Sequence, residues 1–324
     1  MELRLDEARR RIQGRIVRTP LVEVPGRWLP EGARLFLKLE DRQRSGSFKA
    51  RGAAHFIERL CDERTPAGVI TYSSGNHGRA VAEAAAARRI PALVTVPDGI
   101  DASKARAIID AGAELVLAGG TSESRRERAQ SIAADRGWSL IPPFDHEWII
   151  EGQSTVAAEI IEDLPGLSDL WSPVGGGGLA AGSAATLAAH APEVRLHAVE
   201  PEGAAAYSAS VRSGRRVRLD RAESVADGLL PLSIGERNWE WLRRVAARPV
   251  TVTEAQILAS LRILRLELGV AAEPSGAVSA APLLAGGARS EGSGSGAGEP
   301  GVHAAIVSGG NIAPERLERL LAEA

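Results

Sequence analysis

Short apolar runs rich in aliphatic residues alternate with longer stretches of helical periodicity along most of the chain. The runs predict strands at 34–39, 68–72, 92–96, 114–117, 169–174, 195–199 and 302–307. The stretches between them predict helices at 47–61, 76–89, 102–111, 123–136, 147–162, 179–190 and 253–268. Such alternation argues for an α/β architecture with mostly parallel sheets. The strand runs are apolar on successive residues rather than every second one, as expected when helices cover both faces of a sheet. The opening MELRLDEARRRIQ reads as a charged helix and lacks the apolar centre of a secretory signal. Residues 285–301, AGGARSEGSGSGAGEPG, read as a flexible surface loop.

The chain has 324 residues, room for two domains or one large one with an ample core. Its formal net charge of −2 gives no support for a nucleic-acid arm or a polybasic membrane segment. A single cysteine, Cys61, excludes an internal disulfide. No continuous apolar stretch is long enough to span a bilayer, so a soluble, cytoplasmic protein is expected. Only three of the 39 basic residues are lysines: Lys38, Lys49 and Lys104. Arginine does not deprotonate in proteins, so any chemistry that needs a free amine has these three candidates.

Four segments carry possible chemistry, each at the junction of a predicted strand and helix or at a strand end. In Ser45-Gly46-Ser47-Phe48-Lys49, Ser47 is a plausible N-cap, which puts Lys49 in a first helical turn. The helix dipole disfavours a cation there and so favours the neutral, nucleophilic amine. An ordinary surface lysine fits the same position. In Ser73-Ser74-Gly75-Asn76-His77-Gly78, small hydroxyls and helix-start N–H groups can receive a carboxylate. A plain N-cap explains the serines as well. The third segment is Gly175-Gly176-Gly177-Gly178, running from strand into helix. Four glycines carry a large chain-entropy cost that a tight turn does not require, and glycine-lined helix starts bind phosphate. No Lys-Ser/Thr follows them as in a P-loop. The fourth is Ser308-Gly309-Gly310-Asn311 at the end of the last predicted strand, where open α/β sheets bind ligands and where a turn is equally natural.

In this order and spacing the four segments resemble the serine/threonine dehydratase and serine racemase family, pyridoxal-phosphate enzymes of the tryptophan-synthase-β type (fold type II). Thr19-Pro20-Leu21, Glu151-Gly152-Gln153, Ala226-Asp227-Gly228 and Glu273-Pro274-Ser275-Gly276 extend the resemblance over nearly the whole chain. It implies two domains, each an open, mostly parallel sheet flanked by helices. Residues 1–67 and 144–324 would form the large cofactor-binding domain, and 68–143 a small mobile domain closing over the substrate. A homodimer is implied as well.

Residue by residue, the resemblance implies that Lys49 holds the cofactor as a Schiff base and Phe48 packs on its ring. Asn76 would bond the ring's 3′-oxygen, Gly175, Gly176, Gly177 and Gly178 would cradle the phosphate, and Ser308 would face the pyridine nitrogen. Ser73, Asn76, His77 and Arg125 would receive the substrate carboxylate. The activity implied is dehydration of a 3-hydroxy amino acid, such as L-threonine or L-serine, to a 2-oxo acid and ammonia. Ser74 permits a racemase alternative, because racemisation needs a second proton-transfer group on the face opposite Lys49. The family's divalent-cation site would use Glu200 and the Ala204 carbonyl, but its third ligand, an Asp, is replaced by Ala206. That loss counts against a metal, since hard cations want several oxygens. A third reading, a nicotinamide-dependent oxidoreductase, takes Gly176, Gly178 and Gly182 as a dinucleotide loop and Glu200 as its ribose-binding acid. It leaves the first two segments unexplained.

Overall fold

The structure is a computed structural model describing residues 3–29, 31–285 and 300–323. The expected loop at 285–301 therefore lies largely outside the described residues. In chain order the strands are β1 (Leu21–Glu23), β2 (Ala33–Leu39), β3 (Val69–Thr71), β4 (Ala92–Val96), β5 (Glu114–Leu117), β6 (Ser139–Leu140), β7 (Asp169–Pro173), β8 (Arg195–Pro201), β9 (Arg248–Val252) and β10 (Gly301–Val307). The longer helices are α1 (Leu5–Ile12), α2 (Lys49–Glu63), α3 (Asn76–Ala87), α4 (Ala102–Asp110), α5 (Ser122–Arg136), α6 (Glu147–Asp163), α7 (Gly178–His190), α8 (Ala206–Ser213), α9 (Glu236–Arg244) and α10 (Glu254–Arg262). Short helices α11 (Pro274–Ala277) and α12 (Ala281–Leu284) precede β10, and α13 (Pro314–Glu323) follows it.

The strands form two sheets. One has six strands in the order β1-β2-β10-β7-β8-β9, parallel except for β1, which pairs antiparallel with β2. The other has four parallel strands in the order β5-β4-β3-β6. Apolar clusters lie on both faces of each sheet, which is why the central strands β4 and β7 are buried along their whole length. Each of the seven predicted strands is present. The sequence reading missed β1, β6 and β9: the first two have three and two residues, and β9 is a half-exposed edge strand with a proline. Edge strands lack the continuous apolar signal of central ones. The predicted helix at 253–268 ends as α10 at Arg262, beyond which the chain widens into a π-helical turn, Ile263–Glu267.

Two features fix the start of α2, where Lys49 sits. Helices α2 and α6 meet backbone to backbone: a Cβ on Gly152 would lie 2.6 Å from Gly52 Cα, so neither position has space for a side chain. Beside this contact lies a buried ionic quartet. The Arg51 guanidinium donates to Glu40 at 2.7 and 2.8 Å and to Glu159 at 2.7 and 2.9 Å. Lys38 Nζ reaches Glu159 and the Thr19 carbonyl, each at 2.7 Å. Among the described residues, no helix is long and apolar enough to cross a membrane.

Candidate active site

Strands β2, β10 and β7 are neighbours and parallel, so their carboxyl ends open at one edge of the six-stranded sheet. Lys49 follows the first, Ser308 the second, and the glycine run the third. This is where α/β sheets bind ligands. The Phe48 N–H donates to the Ser308 carbonyl at 3.0 Å, and Ser47 forms a lone β-bridge with Gly309. That bridge overturns the N-cap expectation for Ser47. Its backbone is drawn into pairing with Gly309, Phe48 takes the cap position without a side-chain bond, and Lys49 is the first residue of α2.

Lys49 Nζ donates to the Pro143 carbonyl at 2.8 Å and lies 5.0 Å from the Phe48 ring centroid. No carboxylate pairs with it among the described residues. Burial alone holds its pKa down at about 8. The next residue, Phe144, links the lysine to the glycines: a Cβ on Gly176 would lie 2.3 Å from the Phe144 ring. A Cβ on Gly175 would come within 2.9 Å of Leu229 Cα, and Gly177 has φ +90°. Space and backbone conformation thus both demand glycine here. Asn238 Nδ2 donates to the Gly176 carbonyl at 2.7 Å and fixes this peptide. The N–H groups of Gly178, Leu179 and Ala180 lack intrahelical acceptors, the first such bond running from the Ala181 N–H to the Gly177 carbonyl at 2.8 Å, and such a helix start can cradle an anion.

Residues 72–75 lead from β3 into α3. A Cβ on Gly78 would lie 2.0 Å from the Ser73 carbonyl oxygen, so this glycine lets the loop fold back on its helix. Ser73 and Ser74 are half-buried there. Asn76 opens α3, and its Nδ2 donates to Glu273 at 2.6 Å. His77 is buried, with Nε2 3.4 Å from the Ile141 carbonyl. Burial, and then the charge of Lys49, push its pKa down to about 3, so it is neutral at physiological pH. Any role of His77 toward a carboxylate is that of a neutral hydrogen-bonding group.

Three expected site residues are not drawn into this cluster. Arg125, on α5, donates to Ser122 at 2.8 Å, and no hydrogen bond ties it to the others. Glu200 accepts from the Tyr207 N–H at 2.7 Å, the Ser208 N–H at 2.8 Å and Ser208 Oγ at 2.7 Å. Its carboxyl caps α8, and burial pushes it up to about 7 in spite of those bonds. Both oxygens are engaged, Ala204 offers only a carbonyl and Ala206 nothing, so these residues do not fit a hard cation. A carboxylate so occupied is no better suited to a ribose. The sequence reading gave no role to Pro143, Phe144, Glu273 or Asn311. The last two lie in fragments quoted for the resemblance, which was the available signal.

A glycine-lined helix start beside a lysine amine with no carboxylate partner among the described residues is an arrangement that fits pyridoxal phosphate. The model of the family "Pyridoxal-phosphate dependent enzyme" matches residues 12–296, and the chain belongs to that family. The chain is 34% identical over 280 residues to the L-threo-3-hydroxyaspartate ammonia-lyase of Saccharomyces cerevisiae, covering 86% of this chain and 85% of that one. It is 33% identical to the L-threonine ammonia-lyase of Thermotoga maritima, covering 98% and 77%. The structure of maize serine racemase superposes with a TM-score of 0.92 at 33% identity, covering 100% and 98%. The fold is that of fold type II, and the chain is an enzyme of the lyase and racemase group. These matches leave the nicotinamide reading without support.

The Lys49 pKa has a direct consequence. Only the neutral amine attacks an aldehyde. Capture of added pyridoxal phosphate by the apoenzyme should speed up with pH until about 8 and level off above it. Below that point each pH unit is worth about tenfold. Stopped-flow absorbance at several pH values checks this, and a flat profile would contradict it.

Proposed function

We propose that this chain is a pyridoxal-phosphate-dependent ammonia-lyase (dehydratase) of a 3-hydroxy amino acid such as L-threonine or L-serine. The observation that carries this reading is the enclosed, carboxylate-free Lys49 beside the glycine cradle, at the open edge of three adjacent parallel strands. Relatives named ammonia-lyase and serine racemase at about a third identity support it.

Pyridoxal phosphate, when bound, supplies the electron sink that makes the substrate Cα proton acidic. Lys49 anchors the cofactor and, once displaced by the substrate amine, takes that proton with its neutral amine. Phe48 packs on the ring. Gly175, Gly176, Gly177 and Gly178 hold the phosphate with backbone N–H groups. Ser308 offers an uncharged hydroxyl to the pyridine nitrogen, so nothing there holds a proton on it. The Asn76 side chain meets the cofactor's ring 3′-oxygen, and Ser73, His77 and the Asn76 backbone N–H receive the substrate carboxylate at the start of α3, with Arg125 as a further contact reached on closure. Overall, L-threonine would give 2-oxobutanoate and ammonium, water being lost and then regained. The four-stranded sheet supports residues 68–143 as the smaller, mobile domain against 1–67 and 144–324. Its closure would exclude water from the site. By resemblance, the assembly is a cytoplasmic homodimer.

The first experiment is an absorption spectrum of the purified protein, followed by L- and D-serine, L- and D-threonine and L-threo-3-hydroxyaspartate, with assays for ammonia, 2-oxo acid and enantiomer. A band near about 410–420 nm from the lysine-linked cofactor, with 2-oxo acid formed, is the expected result. A protein with no band, and none after adding pyridoxal phosphate, would sink the reading.

Racemisation is the second reading. Ser74 favours it: the residue is half-buried in the loop ahead of α3, and its Oγ makes no hydrogen bond among the described residues. It is therefore free to carry a proton on the face opposite Lys49. Ser74→Ala should cut enantiomer interconversion about a hundredfold or more while dehydration is largely kept. Equal loss of both activities, or of neither, would remove this role.

A further inference from the structure

The Asn76 side chain is held from both ends. Its Nδ2 donates to Glu273 Oε1 at 2.6 Å, and its Oδ1 accepts from Asn311 Nδ2 at 2.7 Å. The orientation of both amides follows from donor and acceptor logic. Asn311 Nδ2 also faces the Ser45 carbonyl at 2.7 Å, which can only accept. Its Oδ1 faces Arg79 Nη1 at 3.1 Å, which can only donate. Asn311 is thereby fixed, so Asn76 must turn Oδ1 toward it and Nδ2 toward Glu273. One Nδ2 hydrogen is then spent on Glu273 and the other stays free.

Glu273 is itself closely confined. It is 5% exposed, and its own N–H donates to the Gly309 carbonyl at 3.0 Å. A Cβ on Gly309 would lie 2.7 Å from Glu273 Oε1 and 3.2 Å from Asn76 Nδ2, so Gly309 is the residue that makes space for this contact. Burial first, and the charge of Asp227 second, push the Glu273 carboxyl up to about 8. The group is largely a neutral acid at physiological pH. Glu273 and Asn311 flank the six-stranded sheet, whereas Asn76 opens a helix on the four-stranded one.

We propose that Glu273 is a positioning residue: it holds the Asn76 amide so that its one free N–H faces the cofactor's ring oxygen, and it ties the start of α3 to the floor of the larger sheet. The inference rests on the proposed function, in which Asn76 meets the cofactor.

The test uses the holoenzyme with Glu273→Gln and Glu273→Ala. Gln is a neutral, nearly isosteric group that still accepts from Asn76. It should keep the cofactor band, cofactor affinity and kcat within about threefold of wild type, the scale of a hydrogen bond retained. Ala removes the acceptor. It should displace the band, weaken cofactor binding about tenfold or more and lower kcat more than it raises KM. Glu273→Met, which keeps the buried volume, replaces Ala if that variant does not fold. A role confined to stability would lower the melting temperature and leave band and affinity unmoved, and that result would overturn the proposal. So would a Gln variant as impaired as Ala, which would show that the negative charge is needed. A wild-type protein without any cofactor band is a different outcome, and it would sink the functional reading itself.

Discussion

Lys49→Ala should abolish turnover and the lysine-linked cofactor band together. The effect is expected to be complete because no other amine can take over. Lys38 is fully buried with its Nζ on Glu159 and the Thr19 carbonyl, and Lys104 is paired with Asp227 at 2.6 Å. Each of these amines is engaged in an ion pair of its own, apart from the glycine cradle. Loss of a positioned general base alone costs about a hundred- to ten-thousandfold, and loss of the covalent anchor adds to it. The glycine cradle is untouched, so the variant should still bind free pyridoxal phosphate, with the spectrum of the unlinked aldehyde. Absorbance and 2-oxo acid release on one sample check both halves. Turnover persisting within tenfold of wild type would rule out Lys49 as base.

Glu159→Gln should destabilise the fold by about 3–5 kcal/mol, the range for breaking a buried ion pair from one side. Glu159 accepts from both Arg51 and Lys38, and all three side chains are buried or nearly so. The variant leaves two buried cations facing Glu40 alone. Urea unfolding of the holoenzyme measures the change. The exposed pair Arg106–Asp110, at 2.8 Å, is the control. Arg106→Ala should shift stability by no more than about 1 kcal/mol. A Glu159→Gln loss as small as that would mean the quartet contributes no net stability. Because Arg51 lies two residues after Lys49, the same variant should also broaden the cofactor band if the quartet steadies the start of α2.

The four chemical segments were legible because each is local. A glycine run after an apolar strand, or a serine-rich turn before an alanine-rich helix, is spelled out by neighbouring residues. The central strands were legible for the same reason: burial on both faces writes a continuous apolar run. Residues whose role depends on a distant partner were not. Ser47 has the chemistry of an N-cap, yet pairing with Gly309 takes its backbone elsewhere. Glu200 stands at a strand end like a ligand-binding acid, but the amides of α8 consume both its oxygens. Glu273 stands in a fragment that carries the resemblance, but nothing local gives it a role, since its partner Asn76 lies far away in the chain.

The sequence by itself determined the alternation of strands and helices, the family, and the residue types at each strand-to-helix junction, because these depend on periodicity, glycine content and the scarcity of lysine. Only the tertiary structure decided that the last strand, β10, inserts between β2 and β7. Parallel pairing is satisfied by any apolar strand of suitable length, so chain order does not dictate sheet order. That insertion sets Ser308 between Lys49 and the glycine cradle. The physical reason lies in packing: β10 is buried on one face by α6, α7 and α9 and on the other by α10, α12 and α13, and no local pattern records that meeting.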